Sequence, residues 1–196
     1  AKKVYLIGCG TCATLCKTGG KDEVLAMKKA LEDKGRQICG WMVISTACDV
    51  LSQEALKQEE KAIKQADVIL ALACGFGVQR IAECADKMVI PALDTLFIGK
   101  EDLEFKECVQ VCAQCGECVL GVTAGICPVV SCHKGLLNGP CGGTNKGKCE
   151  VDKEKDCAWT LIYNKLKALG RLDLMERAQP PRDYQKVIKP GKAKFI

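Results

Sequence analysis

"VILALACGFG", residues 68–77, is a run of six apolar residues that is followed by a cysteine and a glycine. A short apolar run of this kind is typical of a buried β-strand, because a helix in a protein core is normally longer. Three further runs have the same character, namely "VYLIGCG" (4–10), "WMVISTACD" (41–49) and "MVIPALDT" (88–95). Since none of them alternates with polar residues, we expect a parallel sheet that is covered on both faces.

The segments between these runs predict helices. In "KDEVLAMKKALEDKG" (21–35), Val24, Met27 and Leu31 share one face, and Gly35 stands where a helix commonly ends. Two more helices are predicted over residues 52–67, with Ser52 as the N-cap, and over residues 78–86. Strands that alternate with helices predict an α/β fold with right-handed crossovers. We therefore expect a small, doubly wound, flavodoxin-like or Rossmann-like domain over residues 1–100.

Residues 101–196 differ from this pattern. Nine of the 16 cysteines and the glycine-rich "NGPCGGTNKGKC" lie within residues 108–157, with no strand or helix long enough to build an ordinary core. Ligand bonds would have to organise such a segment. A helix is predicted over residues 156–170, with Asp156 as its cap. Its apolar stripe is expected to pack against the first domain and consists of Trp159, Ile162, Leu166 and Leu169. The second domain is thus an irregular cysteine-rich segment with a C-terminal helix and tail.

Composition and charge exclude several classes of protein. No apolar run approaches the roughly 20 residues that span a bilayer, and "AKKVYLIGCG" is not typical of a secretory signal, so a cytoplasmic protein is expected. The net charge is +5, but no basic stripe with interleaved aromatic residues is present, so nucleic acid is not an expected partner. In a reducing compartment, closely spaced cysteines indicate metal or iron–sulfur ligands rather than disulfides.

One group of cysteines follows the predicted strands. Cys9, Cys48 and Cys74 each stand near the carboxyl end of a strand, where doubly wound sheets bind ligands. Cys12 and Cys16 share one face if a helix begins at Cys12. Helix N-termini at this edge would stabilise thiolates and cluster sulfides. Five thiols without a nearby histidine favour a [4Fe-4S] cluster over catalytic zinc.

Other interpretations of the first group stay open. Any one of these cysteines could be a small apolar packing residue, the role that we expect for Cys39 and Cys84. Cys9 and Cys12 also form a CxxC pair that could act as a thioredoxin-type dithiol.

The second group begins with Cys112, Cys115 and Cys118, whose CxxCxxC spacing is used by ferredoxin-type loops. The other candidate ligands are Cys127, Cys132, Cys141, Cys149 and Cys157. These eight thiolates would suffice for two four-iron clusters without Cys108. Together with the first group, we expect two or three clusters in the whole chain. Zinc held by four cysteines is the alternative for at least one of these sites.

A resemblance to a known family covers nearly the whole chain. The block "GICPVVSCHKGLLNGPCGG" (125–143) resembles the signature of the small iron–sulfur subunit of methylenetetrahydrofolate reductases from acetogenic anaerobes. The first half is similar to the same subunit in "LIGCGTCATLCKTGG" (6–20) and "ACGFGVQRIAE" (73–83).

The resemblance implies a partner, which is a flavin-bearing barrel subunit that reduces methylenetetrahydrofolate in one-carbon metabolism, the methyl branch of the Wood–Ljungdahl pathway. At 196 residues the chain is too short to be that barrel itself. Its implied role is to pass electrons between the flavin and a further electron-donor protein, without catalytic residues of its own. A scaffold subunit held together by zinc or clusters is the alternative, and a redox enzyme with a substrate crevice is a third possibility.

Overall fold

The computed structural model describes residues 1–102, 107–187 and 189–191 of the chain. It divides into two compact units, Ala1–Leu96 with Glu101–Glu107, and Phe97–Lys100 with Cys108–Ile196. Within the described ranges, no helix combines the length and the apolar character needed to cross a membrane.

The first unit is built on a four-stranded sheet. Its strands are β1 (Lys3–Cys9), β2 (Gln37–Ile44), β3 (Val68–Leu72) and β4 (Met88–Pro91). They lie in the order β2-β1-β3-β4, and every neighbouring pair is parallel. The predicted parallel α/β sheet is therefore confirmed. The direction of winding changes between β1 and β3, and open sheets of this kind bind ligands at such a point.

Five helices accompany this sheet. They are α1 (Cys12–Leu15), α2 (Lys21–Asp33), α3 (Ser52–Gln58), α4 (Glu60–Gln65) and α5 (Gly75–Cys84). The helix predicted over residues 52–67 is divided at Glu59, where Ala62 donates a tighter i→i+3 hydrogen bond to the Glu59 carbonyl (3.0 Å). Ser52 is not the N-cap, because its buried hydroxyl donates to the Ala47 carbonyl (2.9 Å) and so ties down the loop after β2.

Alternate residues of the strands bury two separate cores. On one face, Leu6 of β1 packs in a cluster with Val24 of α2. On the other face, Ile7 shares a cluster with Ile63 of α4 and Ile81 of α5. Since successive strand residues point to opposite faces, both faces of the sheet are covered by helices, as the unbroken apolar runs predict.

The second unit has little regular structure. The short strands β5 (Ile98–Asp102) and β6 (Glu107–Cys112) form a two-stranded sheet. The helices that follow are α6 (Pro128–Ser131) and α7 (Ala158–Ala168), with 3₁₀ turns at Leu172–Glu176 and Tyr184–Val187. An irregular cysteine-rich segment followed by a C-terminal helix was the prediction, and the structure contains both.

The second unit nevertheless has its own small core. Trp159, Ile162 and Leu166 of α7 are buried and pack against partly buried residues of the same unit, among them Ile126 and Leu136. The Trp159 indole also donates a hydrogen bond to the Leu136 carbonyl (3.0 Å). The stripe thus has apolar partners within its own unit, and its packing against the first domain stays a prediction. The loop of residues 124–136 supplies the apolar partners that the sequence pattern did not show.

Gly19 fixes the distance between the loop after β1 and the neighbouring strand β3. A Cβ atom at this position would lie 2.0 Å from the Leu72 carbonyl oxygen, so Gly19→Ala must displace backbone. We expect this substitution to lower the free energy of unfolding by about 1–3 kcal/mol, the usual range for overpacking. Chemical denaturation followed by circular dichroism measures the effect.

The matched control is Gly75→Ala, because a Cβ there would have only an ordinary contact of 3.5 Å with Thr95. Equal stabilities of the two variants would contradict the close approach at Gly19.

Candidate metal centres

The first group of thiols lies at the carboxyl edge of the sheet. Cys9 is the last residue of β1, and Cys12 begins α1 directly after it. Cys48 lies in the turn after β2, and Cys74 is the N-cap residue of α5, after β3. Because the carboxyl ends of parallel strands meet at one edge, these four residues converge on one place in the fold. We call this set the crevice thiols.

The crevice thiols are close enough for each charge to affect the others. Burial raises the pKa of Cys48, and the negative charges of Cys74, Cys9 and Cys12 raise it further. Each thiolate that forms thus makes the next deprotonation harder. A cation bound among them would reverse this effect, because metal ions favour the deprotonated ligand.

Cys9 is the buried member of the set, with 5% of its surface exposed. Burial alone would raise its pKa, but hydrogen bonds lower it overall. They come from the Thr11 hydroxyl, 3.3 Å from Cys9 Sγ, and from the backbone of Ala47, Thr11 and Ala13. Backbone N–H groups gathered in this way form an anion-binding nest. Cys9 is therefore the thiolate that this edge of the sheet stabilises most directly.

The other cysteines of the first unit differ from the crevice thiols. Cys39 and Cys84 are partly buried and pack against the apolar core, which confirms their assignment as packing residues. Cys16 lies at the end of α1 and is disulfide-bonded in this structure. Its assignment as a metal ligand stays a prediction.

In the second unit, the CxxCxxC loop begins where β6 ends at Cys112. The backbone N–H of Gln114 donates to Cys112 Sγ at 3.3 Å. Gln114 and Gly116 have positive φ angles of 53° and 73°, which turn the chain back around the sulfur atoms. The pKa of Cys115 is lowered by a hydrogen bond from the backbone of Glu117, against burial, with further help from Arg182. The loop therefore directs donors at its sulfur atoms.

Two cysteines of the second unit stand at helix starts. Cys127 is the N-cap residue of α6, and Cys157, in place of the predicted Asp156, is that of α7. Asp156 instead forms an ion pair with Lys148 (2.8 Å). Burial raises the pKa of Cys157, but hydrogen bonds from the side chain and backbone of Thr160 and from other groups at this helix start lower it overall. These groups lie at the start of α7, where the first N–H groups of a helix have no partner within the helix.

Cys141 belongs to a charged group that sequence analysis missed. Its thiol lies 3.3 Å from Glu150 Oε1, and Glu150 forms an ion pair with Lys134. The backbone N–H of Gly143 also donates to Cys141 Sγ (3.4 Å). Lys134 and Glu150 resembled ordinary solvated charges in the sequence, because nothing in the spacing links residues 134, 141 and 150.

Of the remaining three candidates, Cys118 is exposed, and Cys132 and Cys149 are partly buried. Cys132 follows α6 and contacts the apolar core around Trp159. Cys149 is held by a backbone hydrogen bond from its N–H to the Lys155 carbonyl (2.9 Å).

Across the described residues, no three or more cysteine, histidine, aspartate or glutamate side chains are placed so that they could hold a metal ion. Mutual repulsion of thiolates is a physical reason for metal-free thiols to stay apart. The grouping of the cysteines into individual sites stays a prediction, as does the identity of any metal.

The fold and the thiols together define a cysteine-rich α/β protein with a candidate metal centre in each unit. Residues 90–185 match the protein family described as "Methylene-tetrahydrofolate reductase C terminal". This segment contains all eight candidate ligands of the second unit, and it is the part of the chain that is similar to that family. No curated protein and no solved structure gives a significant match.

The start of α7 offers a direct test with the metal-free chain. Thr160→Val removes a hydroxyl that hydrogen-bonds Cys157 while preserving the shape of the side chain. Because the pKa of Cys157 should rise, less thiolate is present at neutral pH. We expect alkylation of Cys157 to slow by about fivefold at pH 7, as follows from a hydrogen bond of about 1 kcal/mol. Mass spectrometry of iodoacetamide-treated protein measures the rate.

Thr11→Val is the matched control, because Thr11 contacts Cys9 and not Cys157. The alkylation rate of Cys157 should fall only in Thr160→Val. A wild-type rate in this variant, or an equal fall of the rate in both variants, would contradict this account of the helix start.

Proposed function

We propose that this chain is an iron–sulfur electron-transfer subunit of a methylenetetrahydrofolate reductase complex. The single observation that carries the proposal is the electrostatic coupling of four thiols at the ends of three strands. Neighbouring thiolates repel one another, so these thiols would ionise together only with a cation or a cluster bound among them. The relationship of residues 90–185 to methylenetetrahydrofolate reductases supports the choice of complex.

The donor chemistry fits iron–sulfur clusters. Every candidate ligand is a sulfur atom, and backbone N–H groups already point at several of them, as at Cys112 and Cys141. Such N–H groups and the burial of the site set the reduction potential of a bound cluster. The first site would use Cys9, Cys12, Cys48 and Cys74, with Cys16 as a fifth candidate. The second unit would use Cys112, Cys115, Cys118, Cys127, Cys132, Cys141, Cys149 and Cys157.

A bound [4Fe-4S] cluster would supply one-electron transfer. The residues of this chain would hold the cluster and stabilise its negative charge. In the crevice, the Thr11 hydroxyl and the backbone of Ala47 and Ala13 would stabilise this negative charge. In the second unit, the backbone N–H groups of Gln114 and Gly143 would do the same. Catalysis on the folate substrate would belong to the flavin-bearing partner.

Exposed apolar residues follow the same three strands as the crevice thiols and suit a protein partner; we call them the apolar collar. It consists of exposed residues that follow three neighbouring strands, Leu15 after β1, Val50 and Leu51 after β2, and Phe76 after β3. Large apolar side chains grouped on a surface mark interaction sites. Docking of the flavoprotein on this collar would bring its flavin close to the crevice.

Replacement of one crevice thiol tests the cluster assignment. In Cys74→Ala, we expect a loss of about four iron and four sulfide per chain, because a four-iron cluster needs its full set of thiolates. Metal and sulfide counting after anaerobic purification gives the stoichiometry, and electron paramagnetic resonance after reduction identifies the lost signal. Cys84→Ala is the control, since Cys84 packs against the core.

Two results would contradict the proposal. Zinc in place of iron throughout the wild-type chain would leave only the scaffold function. Equal iron content in Cys74→Ala, Cys84→Ala and wild type would exclude the crevice as a cluster site.

The collar makes a separate prediction about association. Phe76→Ser should raise the dissociation constant for the co-expressed flavin-bearing subunit by about tenfold or more, because burial of such a side chain contributes about 1.5–3 kcal/mol. Met88→Ser is the control, since Met88 is equally apolar and exposed but begins β4, at the opposite edge of the sheet. Calorimetric titration measures both constants, and equal values would contradict docking at the collar.

A further inference from the structure

The C-terminal segment of the second unit, residues 179–187, is anchored at two places. At one end, Gln179 and Asn138 exchange two hydrogen bonds of 3.0 and 2.6 Å. At the other end, Glu117 accepts from the Asp183 backbone N–H (3.2 Å) and from Lys186 Nζ (2.6 Å). Because Glu117 lies between Cys115 and Cys118, the second anchor fixes the segment to the CxxCxxC loop.

The contact between this segment and the loop is close. Gly116 has a φ angle of 73°, which favours glycine, and a Cβ atom there would lie 3.1 Å from Val187 and 3.3 Å from Lys186. The tail and the loop therefore pack with little space between them. The segment thus covers the CxxCxxC loop beside Cys115.

Arg182 lies between the two anchors. Its guanidinium lies near Cys115 and helps to lower the pKa of that thiol. Its terminal nitrogen Nη2 is buried, and within the described ranges it has no hydrogen-bond partner. A buried N–H donor without an acceptor is costly, by about 1–3 kcal/mol or more for a charged group. An acceptor that belongs to the site would remove this cost.

We propose that Arg182 is a positioning residue for the cluster of the CxxCxxC loop, with its free N–H directed at a cluster or cysteinyl sulfur. This inference rests on the proposed function. A cluster bound by thiolates gains one negative charge when it accepts one electron from a donor such as dithionite. Arginine side chains carry their positive charge in proteins whatever the redox state of a neighbouring group. The fixed positive charge of Arg182 thus favours the reduced state and needs no proton transfer.

Redox titration of the anaerobically purified chain tests the inference, with iron counted in each sample. In Arg182→Gln, we expect the equilibrium constant for reduction of one cluster to fall by about tenfold, a shift of about 59 mV to more negative potential for one electron. Arg182→Lys keeps the charge but not the planar fork, so its shift should be smaller and in the same direction. Arg177→Gln is the control for loss of a positive charge on the same tail, and its potential should match that of the wild type.

The outcomes separate this inference from the proposed function. Wild-type protein without reducible iron would overturn the proposed function, and with it the basis for a role of Arg182. Reducible iron with the wild-type potential in Arg182→Gln would overturn the role of Arg182 alone. Loss of iron in Arg182→Gln, but not in Arg182→Lys or Arg177→Gln, would support a need for the cation at this site. Equal loss in Arg177→Gln would contradict it.

Discussion

Repulsion between neighbouring thiolates is the constraint on which the first unit depends. The parallel sheet places the chain segments that follow β1, β2 and β3 at one edge, and each of them carries a cysteine. The pKa of Cys48 is raised by burial and by three other thiols, so these sulfur atoms are not independent. A group of this kind is stable when it stays protonated or when it binds positive charge. The sheet thus brings together thiols that can all ionise only when positive charge is bound among them.

The two units position sulfur by different means. In the first unit, strands and helices of a well-packed domain determine where each thiol lies. In the second unit, turns with positive φ angles, at Gln114 and Gly116 for example, and backbone N–H groups surround the cysteines. The small core around Trp159 supports only one side of this unit. Metal binding should therefore contribute more to the folding of the second unit than to that of the first.

The parallel sheet and its helices could be predicted because their signals are local. Apolar runs of strand length and the helical face of Val24, Met27 and Leu31 are visible in a single stretch of sequence, and both occur in the structure. The convergence of the crevice thiols followed from a general rule for parallel sheets. The bend at Glu59 and the N-cap role of Cys157 are finer details, which depend on individual backbone hydrogen bonds.

The features that sequence analysis missed depend on distant contacts. Lys186 and Glu117 are 69 positions apart, and the pair looks like two solvated charges until the chain is folded. The partners that the α7 stripe has within its own unit were missed for the same reason, since they lie in an irregular loop without a periodic pattern. Such contacts depend on how distant parts of the chain meet in the fold, and the spacing of residues along the sequence does not reveal them.

The chain has two tryptophans, and each unit contains one of them. Trp41 lies in β2 of the first unit, and Trp159 in the core of the second, two residues from Cys157. Replacement of either indole by phenylalanine would leave a fluorophore in a single unit. The tryptophan fluorescence of each unit could then be followed separately. The order in which the two units unfold or lose metal would thus be measurable in one polypeptide.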